Sequence, residues 1–246
     1  MRAVWLTVLI AMGLGFAPAA WSQQHIDLPS RPGVTQPIDL TEAVHPIASA
    51  ILYPGGPGVL SRGRNNFLVR VAGAFAAAGV TAAVADAPSD HAGGLNDEAR
   101  AGDAQAADAT AIVAFLRSRA PVPVWLIGTS RGSISAANAA VRLGPPSIAG
   151  VVLTSAVWGG GMAAVPVNRL RVPTLIVHNR DDSCRFSPFA GAEQAYAALT
   201  AAPAKQLIAV AGGWLRGDPC EWYSPHGYRG IEDQVVPPIV GWIRSH

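Results

Sequence analysis

Pro123-Val124-Trp125-Leu126-Ile127-Gly128-Thr129-Ser130-Arg131-Gly132-Ser133 decides the fold of this chain. Its first half is an apolar run with β-branched and aromatic residues, which reads as a buried strand. That run enters Gly-x-Ser-x-Gly directly, and the small-residue segment Ile134 to Leu143 then has helical character. Strand, serine turn and helix in this order predict a turn so tight that its serine takes a strained backbone conformation. Gly128 and Gly132 supply the lack of bulk that such a turn requires. Ser130 would then stand above the sheet edge, with the N-terminal N–H groups of the following helix aimed at any negative charge formed nearby.

The pattern repeats outward from this point. Ile47 to Tyr53, Val80 to Ala85, Gly150 to Thr154, Val172 to His178 and Gln206 to Val210 read as strands. Asn65 to Ala78, Asp103 to Arg119, Pro188 to Thr200 and Ile231 to Ile243 read as helices between or after them. Asp86 to about Ala101 is expected to be a polar loop, and residues 23–46 are Pro-rich with two short strand candidates, Ile26 to Leu28 and Pro37 to Leu40. Apolar strands alternating with helices predict a doubly wound α/β domain, with one mostly parallel sheet covered on both faces. Ligands in such sheets gather at the carboxyl ends of the strands.

With 246 residues, half of them hydrophobic and 14% charged, the chain can bury one large core. Net charge is +2 and Lys205 is the only lysine, so no basic cluster points to nucleic acid. Arg2 followed by the apolar run Ala3 to Phe16 and by Ala20-Trp21-Ser22 reads as a signal peptide over residues 1–22, leaving a domain over 23–246. The run falls short of the roughly 20 residues of a bilayer span, so no stable membrane anchor is expected after cleavage. A periplasmic or secreted location follows. In an oxidising compartment, the two widely spaced cysteines Cys184 and Cys220 are expected to form a disulfide.

A serine hydroxyl needs a neighbouring base to become a nucleophile, and the base needs an orienting group. After Ser130 the chain offers Asp181 and Asp182 in Val177-His178-Asn179-Arg180-Asp181-Asp182, and then His226 in Ser224-Pro225-His226-Gly227-Tyr228. Both stretches follow strands. His178 ends a strand and is expected to be structural. No histidine pair has metal-ligand spacing, so neither metal nor cofactor is expected.

Ser, Asp and His in this order resemble the α/β-hydrolases, and the resemblance covers nearly all of the chain after residue 22. His178 to Asp182 resembles that family's His-Gly-x-x-Asp, which points to Asp182 over Asp181 as the acid, with Asn179 in place of the glycine. Pro54-Gly55-Gly56-Pro57-Gly58 resembles His-Gly-Gly-x-Gly, so the N–H of Gly55 or Gly56 would join that of Arg131 in an oxyanion hole. Arg31-Pro32-Gly33-Val34-Thr35, Asp86-Ala87-Pro88-Ser89-Asp90-His91 and Gly128 to Gly132 together resemble small exported members of the family. Only Ser155 to Arg171 could form a cap, and it is too short for a lid domain.

The resemblance implies a serine hydrolase that cleaves small carboxylic esters through an acyl-enzyme. The same machinery would serve a peptidase or amidase, and a non-catalytic binding protein could use the same fold. Trp158, Met162, Trp214 and Trp222 are candidates for lining a pocket, and Arg131, Arg180 and Arg185 for meeting an acidic group. Intact mass of exported protein should give a chain beginning at Gln23 and lacking two hydrogens. A mass retaining residues 1–22 would remove the export assignment.

Overall fold

The computed structural model describes residues 23–246; the run Ala3 to Phe16 and the expected cleavage site lie outside the described residues. Eight strands form one sheet: β1 (Gln23–Arg31), β2 (Val34–Thr41), β3 (Ala48–Tyr53), β4 (Val80–Ala85), β5 (Val124–Thr129), β6 (Gly150–Thr154), β7 (Thr174–Asn179) and β8 (Lys205–Val210). Their spatial order is β1-β2-β4-β3-β5-β6-β7-β8. β2 runs antiparallel to both β1 and β4, and every other pairing is parallel.

Every residue of β3 to β7 is buried, which is why these strands read as unbroken apolar runs rather than alternating ones. Alternate side chains feed two cores. On one face Ile51, Leu126 and Val151 pack with α3 (Asp103–Arg119), α4 (Gly132–Leu143) and α5 (Phe189–Ala198). On the other face Leu52, Trp125 and Ile127 pack with α1 (Phe67–Ala77) and α6 (Glu232–Ser245). The doubly wound architecture expected from the sequence is present.

Two segments are more ordered than expected. The Pro-rich start forms a full hairpin, turning at Gly33 with φ +72°. Its prolines are tolerated because β1 is an edge strand, bulged between Pro29 and Arg31, while Pro37 lies outside the β2–β4 pairing. The expected polar loop carries a 3₁₀ turn at Ser89–His91 and a short helix, α2 (Asp97–Ala101). The Asn96 side chain caps α2 by accepting from Ala99 N at 2.8 Å.

Close approach explains both glycines of the serine turn. A Cβ on Gly132 would run into the carbonyl oxygen of Tyr53 and lie 2.7 Å from that of Pro54, so α4 starts hard against the end of β3. A Cβ on Gly128 would collide with the Gly132 carbonyl and stand 2.8 Å from Ala136 Cβ. Gly73, inside α1, has nothing within 4 Å of its missing Cβ. Gly73→Ala should therefore stabilise the fold by about 0.5–1 kcal/mol, whereas Gly132→Ala should lower the melting temperature sharply. Thermal unfolding of the two variants beside the parent checks both signs.

Candidate functional site

The residues singled out in the sequence converge on the carboxyl edge of the sheet. β5 ends at Thr129, and Ser130 follows with φ +52°, in the left-handed region that a non-glycine residue enters only under constraint. Ser130 N donates to Thr154 O at 3.0 Å, and its own carbonyl accepts from Ser133 N and from Ser133 Oγ, so α4 holds the turn in place.

Asp182 and His226 meet after β7 and β8. His226 Nδ1 lies 2.8 Å from Asp182 Oδ2, with the carboxylate side chain wholly buried. The carboxylate can only accept, so in the neutral ring the proton sits on Nδ1 and Nε2 presents its lone pair. Nε2 is buried and has no hydrogen-bond partner among the described residues. Asp182 Oδ1 accepts from Cys184 N at 2.9 Å, and Oδ2 also accepts from Ser187 Oγ at 3.0 Å. Ser187 Oγ is in turn 2.9 Å from His226 Nδ1, so it braces acid and imidazole together. Asp181 is occupied elsewhere, its Oδ2 accepting from Gly212 N at 2.7 Å.

Three devices hold the His226 loop. Tyr228, at φ +54°, has a fully buried hydroxyl that donates to Val177 O at 2.7 Å and accepts from Ser155 N at 2.8 Å. Ser155, itself at φ +40°, donates through Oγ to His226 O at 2.8 Å. Asn179 Nδ2 donates to Gly212 O at 2.9 Å and to Pro225 O at 3.2 Å. The Asn179 amide thus ties the end of β7 to the loop that carries His226. The third device is covalent: Cys184 and Cys220 are bonded, with their Cα atoms 4.5 Å apart.

The loop after β3 faces Ser130. A Cβ on Gly55 would stand 2.7 Å from Ser130 Cβ and 3.3 Å from its Oγ. Gly56 sits at φ +60°, and Gly58 N donates to Gly55 O at 3.2 Å to close the turn. The N–H groups of Gly55, Gly56 and Arg131 make no hydrogen bond to other described residues.

Ser130 lies between two cavities. The smaller, about 160 Å³, is lined by Ser130 and His226 together with Arg62, Asn66, Glu221 and Trp222. The larger, about 470 Å³, is lined by Ser130, Val157, Trp158, Arg185, Phe186 and the disulfide. Of the four pocket candidates, Trp222 lines the smaller cavity and Trp158 the larger. Met162 packs in the core, and Trp214 stacks on Tyr223. Arg131 is paired with Asp97 at 2.7 Å, Arg180 lies over the Phe189 ring, and Arg185 lies over Phe186 at the larger cavity. Asp182, Cys184 and His226 present ligand-type atoms within 4.8 Å of one another, but the sulfur is bonded in the disulfide and offers no thiolate.

His178 has no exposure and is structural, its Nε2 lying 2.8 Å from Ser187 O and 3.5 Å from Asp182 Oδ2. Burial pushes its pKa below the ordinary value, against the opposing pull of the Ser187 carbonyl and Asp182. The unfolded chain then binds the extra proton, so this contribution to stability is present at neutral pH and is lost as pH falls below about 6.5. His178→Gln should flatten the fall in unfolding free energy between about pH 6.5 and 5, by at most about 1.4 kcal/mol per pH unit. Chemical denaturation of both proteins across that range measures it.

No protein-family model matches the sequence, and no curated protein matches it. Solved structures do. A dienelactone hydrolase from Anabaena variabilis superposes with a TM-score of 0.70 at 17% identity, covering 92% of this chain and 98% of that one. An alpha-beta serine hydrolase homologue from Coxiella burnetii gives 0.65 at 15% identity, over 91% of this chain and 99% of that one. A serine hydrolase without lid from Xanthomonas campestris gives 0.62 at 16% identity, over 94% and 97%. Strand order, serine turn and these likenesses agree: the chain has the α/β-hydrolase fold, with no large cap.

Proposed function

We propose that this protein is an exported serine hydrolase that cleaves small carboxylic esters, with Ser130, His226 and Asp182 as its triad. The observation that carries this reading is the buried Asp182–His226 hydrogen bond at 2.8 Å, which leaves the opposite ring nitrogen unpartnered at a cavity shared with Ser130. In unliganded sites the contact between base and nucleophile is often loose and tightens with substrate bound. The solved structures with this fold include proteins named as esterases from Pyrococcus furiosus and from an Arctic intertidal metagenomic library, which supports the choice of substrate class.

His226 Nε2 takes the proton of Ser130 Oγ as that oxygen attacks the ester carbonyl carbon. Asp182 stabilises the imidazolium, and the N–H groups of Arg131 and of Gly55 or Gly56 receive the oxyanion. Collapse expels the alcohol, which leaves with the proton from His226. Water, deprotonated by the same nitrogen, then adds to the acyl carbon; the bond to Ser130 Oγ breaks, that oxygen takes the proton back from His226, and the acid is released. The Cys184–Cys220 bond supports export to an oxidising compartment. Among the described residues, no helix is long and apolar enough to cross a membrane.

A fluorophosphonate should add once to the parent protein and not to Ser130→Ala. The same variant should lose at least about 10³-fold in kcat on p-nitrophenyl acetate. Folded parent protein that takes no label and hydrolyses no ester would instead favour a binding protein on this fold.

A further inference from the structure

Arg100 is the most deeply buried cation among the described residues, at 1% exposure, and it forms no ion pair there. The carboxylate next to it on α2, Asp97, is spent on Arg131. An uncompensated guanidinium in a protein interior is costly, so its donors must be placed to some end. One Nη2 donates to Gly56 O at 3.1 Å and to Pro54 O at 3.4 Å; Nη1 donates to Ser135 Oγ at 3.1 Å. The first two carbonyls belong to the loop that faces Ser130, and Ser135 lies on the first turns of α4, which begins immediately after Ser130 and Arg131.

Resting on the serine-hydrolase assignment, we infer that Arg100 is a positioning residue for the oxyanion hole, clamping the Gly55–Gly56 loop to the helix that carries the other donor. The Pro54 carbonyl shares its peptide group with the Gly55 N–H. A cation donating to that oxygen polarises the N–H toward an anion on the far side. Asp97, three residues earlier on the same short helix, fixes the Arg131 side chain, so one turn of α2 braces both sides of the site. The fit is close: a Cβ on Gly58 would stand 2.7 Å from Arg100 Nη2, at a backbone φ of +71°, so only glycine there leaves room for the guanidinium. The fork reaches three acceptors on two elements at once, which an ammonium cannot do.

The test compares parent protein with Arg100→Met, Arg100→Lys and Ser135→Ala on p-nitrophenyl acetate, and measures affinity for phenylboronic acid, which forms an anionic tetrahedral adduct on the serine oxygen. Both Arg100 variants should lose about 10- to 100-fold in kcat with KM within about threefold. Boronate affinity should fall by the same factor as kcat/KM. Ser135→Ala should show a smaller loss of the same kind, and it keeps the comparison available if Arg100→Met does not fold. Parent-like kcat in a folded Arg100 variant, or a lower kcat with unchanged boronate affinity, would overturn the role of Arg100 alone. A parent protein that neither hydrolyses ester nor binds boronate would overturn the hydrolase assignment, and this inference with it.

Discussion

The contact between the start of α4 and the end of β3 is the constraint on which the rest of this molecule depends. Gly132 sits so close to the carbonyls of Tyr53 and Pro54 that no side chain fits between them. That closeness forces the chain to leave β5 through the left-handed conformation at Ser130. It also brings the glycine loop after β3 up to the serine hydroxyl. The two faces of packing are then set, because α4 fills one side of the sheet while α1 and α6 must cover the other. Strain of this kind, of order 1–3 kcal/mol per residue, persists only where the surroundings over-determine it. Ser155 and Tyr228, also left-handed, are held by hydrogen bonds to one another and to the His226 loop.

The site is an arrangement of buried polar groups, each with its partners close by. Asp182 is buried with Cys184 N, Ser187 Oγ and His226 Nδ1 all within hydrogen-bond distance of its carboxyl oxygens. Away from the site, Asp108 is held in the same way, accepting from Ser30 Oγ and from two nitrogens of Arg31. That pair ties the β1–β2 hairpin to α3. It gives the run around Arg31 a structural part, between the two short strand candidates of the Pro-rich start.

Most of the architecture was legible because the signals were local. β5 and α3 appear at the expected residues, since an unbroken apolar run marks the strand while Asp103 in the first turn and Arg117 and Arg119 in the last suit the two ends of a helix. The approach of Asp182 to His226 was legible from order along the chain and from the family resemblance, and the pairing of the two cysteines from compartment and spacing. Ser187 and Arg100 carry no comparable local signal. Ser187 lies in Ser183-Cys184-Arg185-Phe186-Ser187, where nothing marks one hydroxyl over the other until the chain folds back. Arg100 is one arginine in a polar stretch, and its burial is created by elements distant in sequence. The one available signal was Gly58, an extra glycine beyond the two that face the serine.

The disulfide changes what counts as near in this chain. Asp182 and His226 are 44 residues apart along the backbone. Yet Asp182 stands two residues before Cys184 and His226 six after Cys220, so a much shorter covalent path runs through the sulfurs. α5 and β8 hang within the closed ring as an insertion. Searching for its histidine, the acid explores the volume of a short tether rather than that of a long loop, and the entropy of their meeting is reduced accordingly. A single backbone cleavage within the ring would leave acid and base on one covalent molecule, joined at the same distance as before.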